Sequence, residues 1–236
     1  MPSHPAVPRP PAAFASLALR AGADALALLF PVSCAGCGAP DIALCPACRA
    51  LVEGPGDLSR RLDGGLIVHS AFRYEGEIAR MLRALKQEGR TALARPFGRA
   101  LAALPALSVL PAGRAALGAD LPRALYVPVP TSRAAQRRRG YRVVELLLRR
   151  SGLPSASLLR AARRADDQRL LGREERARNV SGTLRALPAS AGVPVMIVDD
   201  VVTTGATLAE AAWALEAAGA RVVGAITVAA TPRRGR

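Results

Sequence analysis

Val195-Met-Ile-Val198-Asp199-Asp200-Val201-Val202-Thr203-Thr204-Gly205-Ala206-Thr207 is the stretch that decides the fold. Four consecutive apolar residues suit a parallel strand buried on both faces. Two carboxylates follow at its C-terminal end, where open α/β sheets receive ligands. The turn after them holds hydroxyls and one glycine, then leads into a helix spanning about 207–218. Such a turn offers backbone N–H groups and threonine hydroxyls at a helix N-terminus, a setting that suits a phosphate. Gly205 lets the backbone approach closely. The acids would repel a phosphate, so they are expected to face ribose hydroxyls beside a hydrated magnesium ion.

On both sides of this stretch, strands and helices alternate. Gly65 to Tyr74 and Glu75 to Lys86 give a strand and then a helix with Ile78, Met81, Leu82 and Leu85 on one face. From Leu125 the pattern is strand, basic loop, helix (Val143 to Arg150), basic arm, strand (Val193 to Val198), helix, strand (Val222 to Ala229), with Gly219 as a helix stop. This alternation predicts an α/β fold with a mainly parallel sheet flanked by helices. Residues 104–123 form an irregular connection, and Glu53-Gly-Pro-Gly-Asp57 reads as a linker. The expected organisation is a Pro-rich tail (1–12), a helix plus cysteine module (13–52), the α/β domain (62–231) and a basic tail (232–236). At roughly 150 residues per domain, 236 residues hold one medium domain and a small module.

All four cysteines fall in one constellation, Cys34-Ala-Gly-Cys37 and Cys45-Pro-Ala-Cys48. Two such knuckles can present four thiolates to a tetrahedral zinc ion, with turn amides pointing at the sulfurs. Filling all four positions with protein makes the zinc structural. A disulfide pair is the alternative, disfavoured in a chain that reads as cytoplasmic. The apolar run from Leu17 to Phe30 is interrupted by Arg20 and Asp24, so neither a secretory signal nor a membrane span is expected.

The chain has 33 basic and 18 acidic residues, a net charge of +15, and Lys86 is its only lysine. Between Thr131 and Arg178 there are 14 arginines against five acids, a +9 share of that total. A positive field of this kind attracts polyanions, whether nucleic acid or phosphorylated small molecules. A solvated charged surface is the plainer account. Of eight aromatics only Tyr141 lies in the basic segment, fewer than base stacking on single strands wants. Histidines occur only at positions 4 and 69, and no glycine loop ends in Gly-Lys, which sets aside Ser-His hydrolysis and Walker-type nucleotide hydrolysis. Lys86 reads as a helix-end cation complementing the dipole, with a remote ligand contact as the alternative.

The thirteen-residue stretch resembles the phosphoribosyl-pyrophosphate (PRPP) signature of type I phosphoribosyltransferases. That resemblance implies the type I phosphoribosyltransferase fold with a small N-terminal zinc-ribbon-like module. It also implies that Asp199 and Asp200 hold the ribose diol, and that Thr203, Thr204, Gly205, Ala206 and Thr207 hold the 5′-phosphate. The wider layout resembles the ComF (competence protein F) family. A helix leads into four cysteines, then come Tyr74-Glu75-Gly76, Leu85-Lys86, Val127-Pro-Val-Pro130, the arginines up to Gly140-Tyr141, the segment Gln168 to Val180, and the PRPP signature. Thr131-Ser132 stands where that family usually has Leu-His, and Gly140-Tyr-Arg-Val143 where it has Gly-Phe-Asn-Gln. Both departures fall where pyrophosphate and the second substrate would be handled.

The resemblance implies a Mg²⁺-dependent transfer of phosphoribosyl to an acceptor. Thr131, Ser132 and Arg133 would contact pyrophosphate, and Arg173, Arg176 and Arg178 would close over it on a mobile arm. It also implies a link to DNA uptake. A binding module that holds single-stranded DNA or a DNA-uptake protein is therefore the alternative to an enzyme.

Overall fold

The apolar run at Val195 does form the buried strand expected of it, but the strand extends further, from Pro194 to Val202, so the two acids lie within it. The computed structural model describes residues 32–104, 124–162, 183–188 and 191–232. The tail 1–12, the helix expected over 14–29, the connection 105–123, Arg173, Arg176, Arg178 and residues 233–236 lie outside the described residues.

In chain order the described elements are α1 (Pro46–Glu53), β1 (Leu58–Arg61), β2 (Ile67–Arg73), α2 (Gly76–Gln87), α3 (Ala94–Ala102), β3 (Leu125–Pro128), α4 (Arg133–Arg139), α5 (Val143–Ser151), β4 (Leu159–Ala161), β5 (Leu184–Ala186), β6 (Pro194–Val202), α6 (Ala206–Ala217) and β7 (Arg221–Ala230). The main sheet has the order β1-β2-β7-β6-β3. β1 is an antiparallel edge strand, and the other neighbours are parallel. β4 and β5 form a separate antiparallel pair.

Side-chain alternation along β6 builds two cores, one on each sheet face. Met196 and Val198 join Phe97, Leu101, Met81, Leu82, Leu85 and Leu147 from α2, α3 and α5. Val195 and Ile197 join Leu208, Ala211 and Leu215 of α6 on the other side. Helices α3 and α5 approach closely because residue 98 is glycine, where an added Cβ would stand 2.8 Å from the Leu147 carbonyl oxygen. Ser70 and Thr227, paired across β2 and β7, satisfy each other's buried hydroxyls at 2.7 Å. Gly219 takes φ 82 just past α6, a left-handed helix stop.

The sequence reading has no counterpart of α3, β4 or β5, and it differs at two further elements. The arginine run expected as a loop is the helix α4, because Ser132 caps its start and Gly140, at φ 76, ends it. Leu58–Arg61, directly after the expected linker, adds a strand whose inward and outward residues alternate. Among the described residues no helix is long and apolar enough to cross a membrane.

Candidate functional site

The C-terminal ends of β6 and β3 lie side by side, held by the Val129 N–H donating to the Val198 carbonyl at 2.9 Å. This pairing places Thr131 and Ser132, which follow β3, on the same sheet edge as Asp199, Asp200 and the turn 203–207. Both acids are partly buried, while Thr203, Thr204, Ala206 and Thr207 are exposed. Gly205 is buried at φ 91, and an added Cβ would stand 2.5 Å from Leu62 Cδ1. Its backbone thus lies against a side chain that follows β1. The Thr204 hydroxyl accepts from the Ala206 N–H at 3.3 Å, and Arg60 of β1 donates to the Thr203 carbonyl at 2.6 Å.

The acid pair is electrostatically loaded. Burial, then the charge of Asp200, pushes the Asp199 carboxyl up to about 7. The Asp200 N–H, which donates to Asp199 Oδ1 at 2.8 Å, and the Lys86 ammonium pull the other way. Lys86 Nζ lies 2.7 Å from Asp200 Oδ1, with side-chain exposures of 21% and 14%. Lys86 is therefore an ion-pair partner of the acid pair rather than merely a dipole-complementing helix end. Its backbone is fastened in place: the Tyr141 hydroxyl donates to the Leu85 carbonyl, and the N–H groups of Glu88 and Arg90 donate to the Ala84 carbonyl. Burial pushes the Tyr141 phenol up, against the opposing charge of Arg139, so the hydroxyl keeps its proton.

Of the other expected residues, Ser132 is used as the N-cap of α4, its hydroxyl accepting from the Ala135 N–H at 3.2 Å. Arg133 begins that helix. Arg60 is not among the expected site residues, and Lys86, expected as a helix-end cation with a remote ligand contact as the alternative, pairs with Asp200. The singularity of Lys86 among 33 basic residues was the signal available for it. His69 is an ordinary strand residue whose Nδ1 lies 3.0 Å from Asp57 Oδ1.

The four cysteine sulfurs lie within 4.8 Å of one another, with 3.6 Å between Cys37 and Cys45. Tetrahedral thiolates about 2.3 Å from a zinc ion stand about 3.8 Å apart, so the donor set fits that ion. A bridge between Ser33 and Pro40 closes the first knuckle. The second knuckle starts α1, with Cys45 as N-cap and Pro46 in the first turn. Burial pushes the Cys34 thiol up, but N–H groups of Cys45, Cys37 and Gly36 and the Cys37 thiol outweigh it and bring it down to about 6. Burial and the three neighbouring thiols push Cys48 up to about 12. One thiolate is thus favoured and further ionisation resisted until a cation supplies opposite charge. The cluster is docked on the main domain: Arg80 of α2 donates to the Gly36 carbonyl, and Arg90 donates to the Ser33 carbonyl at 2.6 Å.

Residues 137–236 match the family model of the phosphoribosyl transferase domain. The chain therefore carries a phosphoribosyltransferase-type α/β domain, preceded by a four-cysteine cluster. Lys86, β1, β2 and the cysteines lie ahead of the matched residues. Among solved structures, the chain is similar to one described as the allosteric regulatory enzyme of purine biosynthesis, at 18% identity and TM-score 0.33, covering 57% of this chain and 26% of that one. It is also similar to a glutamine PRPP amidotransferase from B. subtilis complexed with ADP and GMP, at 20% identity and TM-score 0.35, covering 56% and 25%. The chain spans about a quarter of the length of these two structures' chains. No curated protein matches it.

Proposed function

We propose that the protein binds PRPP and transfers its phosphoribosyl group to an acceptor, releasing pyrophosphate. The observation that carries this reading is the partly buried Asp199–Asp200 pair at the end of β6, followed at once by an exposed hydroxyl-rich turn that opens α6. The carboxylates accept hydrogen bonds from the two ribose hydroxyls. The exposed hydroxyls of Thr203, Thr204 and Thr207, with the amides around Gly205, surround the 5′-phosphate at a helix N-terminus. Thr131 and Ser132, on the same edge, face the pyrophosphate. During transfer the bond from C1 to the pyrophosphate oxygen breaks, its electron pair leaves with pyrophosphate, and an acceptor lone pair forms the new bond as the acceptor loses a proton. The chain contributes position and electrostatics and supplies no nucleophile. The hard oxygen donors of the acid pair suit a hydrated magnesium ion, which neutralises leaving-group charge when bound.

Calorimetric titration with PRPP, with and without Mg²⁺, tests this on wild type and on Asp199→Asn/Asp200→Asn. Mg²⁺-dependent binding that disappears in the double variant is the expected result, and pyrophosphate release on adding candidate acceptors follows from it. A folded protein that binds no PRPP overturns the reading.

A second reading is a non-catalytic module that holds single-stranded DNA or a DNA-uptake partner. It is favoured by the exposure of Arg137 and Arg138 on α4. It requires salt-sensitive DNA binding that survives Asp200→Asn and weakens when Arg137, Arg138 and Arg139 are neutralised.

A further inference from the structure

We propose that Lys86 is a resident counter-ion of Asp200, set in place by the Tyr141 hydroxyl, and that the sugar hydroxyls of the bound ligand displace it. The proposal rests on the phosphoribosyl-binding reading above and goes past it by assigning residues outside the motif.

Three observations carry it. First, Asp200 Oδ1, an oxygen that a ribose hydroxyl would need, already has an ammonium nitrogen 2.7 Å away in a largely buried contact. A ligand that uses that oxygen has to exchange with the ammonium or share it.

Second, the cation is a lysine in a chain whose other basic residues are all arginine. A guanidinium is a planar fork that grips both oxygens of a carboxylate, whereas an ammonium is a compact charge on a flexible stem that can hold one oxygen and let go. The exception falls at a residue that pairs with Asp200.

Third, the stem is delivered by anchored backbone. Tyr141 is partly buried with its ring packed on the α2–α3–α5 core, and its hydroxyl donates to the carbonyl of Leu85, the residue before Lys86. Tyr141 follows α4, so this bond ties the basic helix on the pyrophosphate side of the cleft to the cation on the ribose side. Tyr141 is thus a positioning residue that acts through Lys86.

A single lysine makes the test clean, because labelling with nitrogen-15 lysine gives one side-chain ammonium signal. In wild type that signal is slow to exchange with water. Asp200→Asn shifts it and speeds its exchange. Tyr141→Phe keeps the ring and speeds exchange by about twofold to tenfold, the worth of one hydrogen bond. Circular dichroism verifies that each variant is folded. Adding PRPP with Mg²⁺ moves the wild-type signal toward that of a free ammonium. Lys86→Arg weakens PRPP binding by about tenfold or more, since a forked cation is harder to displace.

An ammonium signal unchanged by Asp200→Asn overturns the counter-ion role, and one unchanged by Tyr141→Phe overturns the positioning role. PRPP binding seen by calorimetry with an unmoved lysine signal, or a Lys86→Arg variant that binds as tightly as wild type, overturns displacement. If wild type binds no PRPP, the functional reading fails, while the ligand-free spectra still decide whether Asp200 holds Lys86 and Tyr141 sets it.

Discussion

The ammonium of Lys86 and the carboxylate of Asp200, 2.7 Å apart, join the end of α2 to the end of β6 across the domain. The contact does electrostatic work on both acids of the pair. On Asp199 the Lys86 ammonium offsets part of the rise that burial, and then the Asp200 charge, impose on the carboxyl.

Removing one side of this pair leaves the other charge partly buried without its partner. Asp200→Asn is expected to lower stability by about 1–3 kcal/mol, below the range for a fully buried pair because both groups retain some exposure. Urea unfolding at neutral pH reads this directly. A variant as stable as wild type would mean that Lys86 finds solvent at no cost.

Asp199 gives a pH dependence of definite sign. Its carboxyl is raised from 3.8 to about 7 in the folded chain, so the folded state holds a proton that the unfolded chain has released. Its contribution is therefore fully present below the unfolded value and is lost as pH rises to about 7. Asp199→Asn should flatten this part of the melting-temperature profile and be relatively most stabilising above pH 7. A fall that persists unchanged in the variant would assign it to other groups.

Gly205→Ala combines a strained φ of 91 with a Cβ placed 2.5 Å from Leu62. We expect a loss of about 1–3 kcal/mol and a displaced turn, hence loss of PRPP binding even in protein that still folds. Leu62→Ala in the same background should recover part of the stability by opening space. Thermal melts of the single and double variants decide this.

The cysteine cluster should bind one zinc ion per chain, with loss on Cys48→Ser. Chelation is expected to lower the melting temperature, because the knuckle carbonyls that receive Arg80 and Arg90 lose their fixed positions. Gly36→Ala, whose Cβ would stand 2.6 Å from Cys48 Sγ, should weaken zinc retention in a chelator competition. Metal analysis showing no zinc in protein purified without chelator would count against the site.

The strand, acid pair and turn of residues 195–207 were readable because they are contiguous and each residue type has a local physical meaning. The cysteine cluster was readable for the same reason. What stayed hidden depends on residues far apart in sequence. Lys86 meets Asp200, and Arg60 meets Thr203, only through the order in which strands assemble. The arginines of α4 show no apolar stripe, so their sequence carries no helical periodicity. The existence of this helix rests on the Ser132 cap and the left-handed Gly140. The extension of β6 through Asp199 and Asp200 was missed because strand pairing with β7, and not hydrophobicity, carries it: Asp199 lies opposite Thr227 and Val201 opposite Ala229.

The sheet order has a bearing on how the molecule is made. β7 lies between β2 and β6, so among the described strands it is β7, later in sequence than the other four, that joins the early part of the sheet to the rest. A nascent chain emerging from the ribosome therefore cannot close its sheet until residues 221–230 are free. Until then the apolar edges of β2 and β6 stay open, and chaperone binding or aggregation should concentrate in that interval.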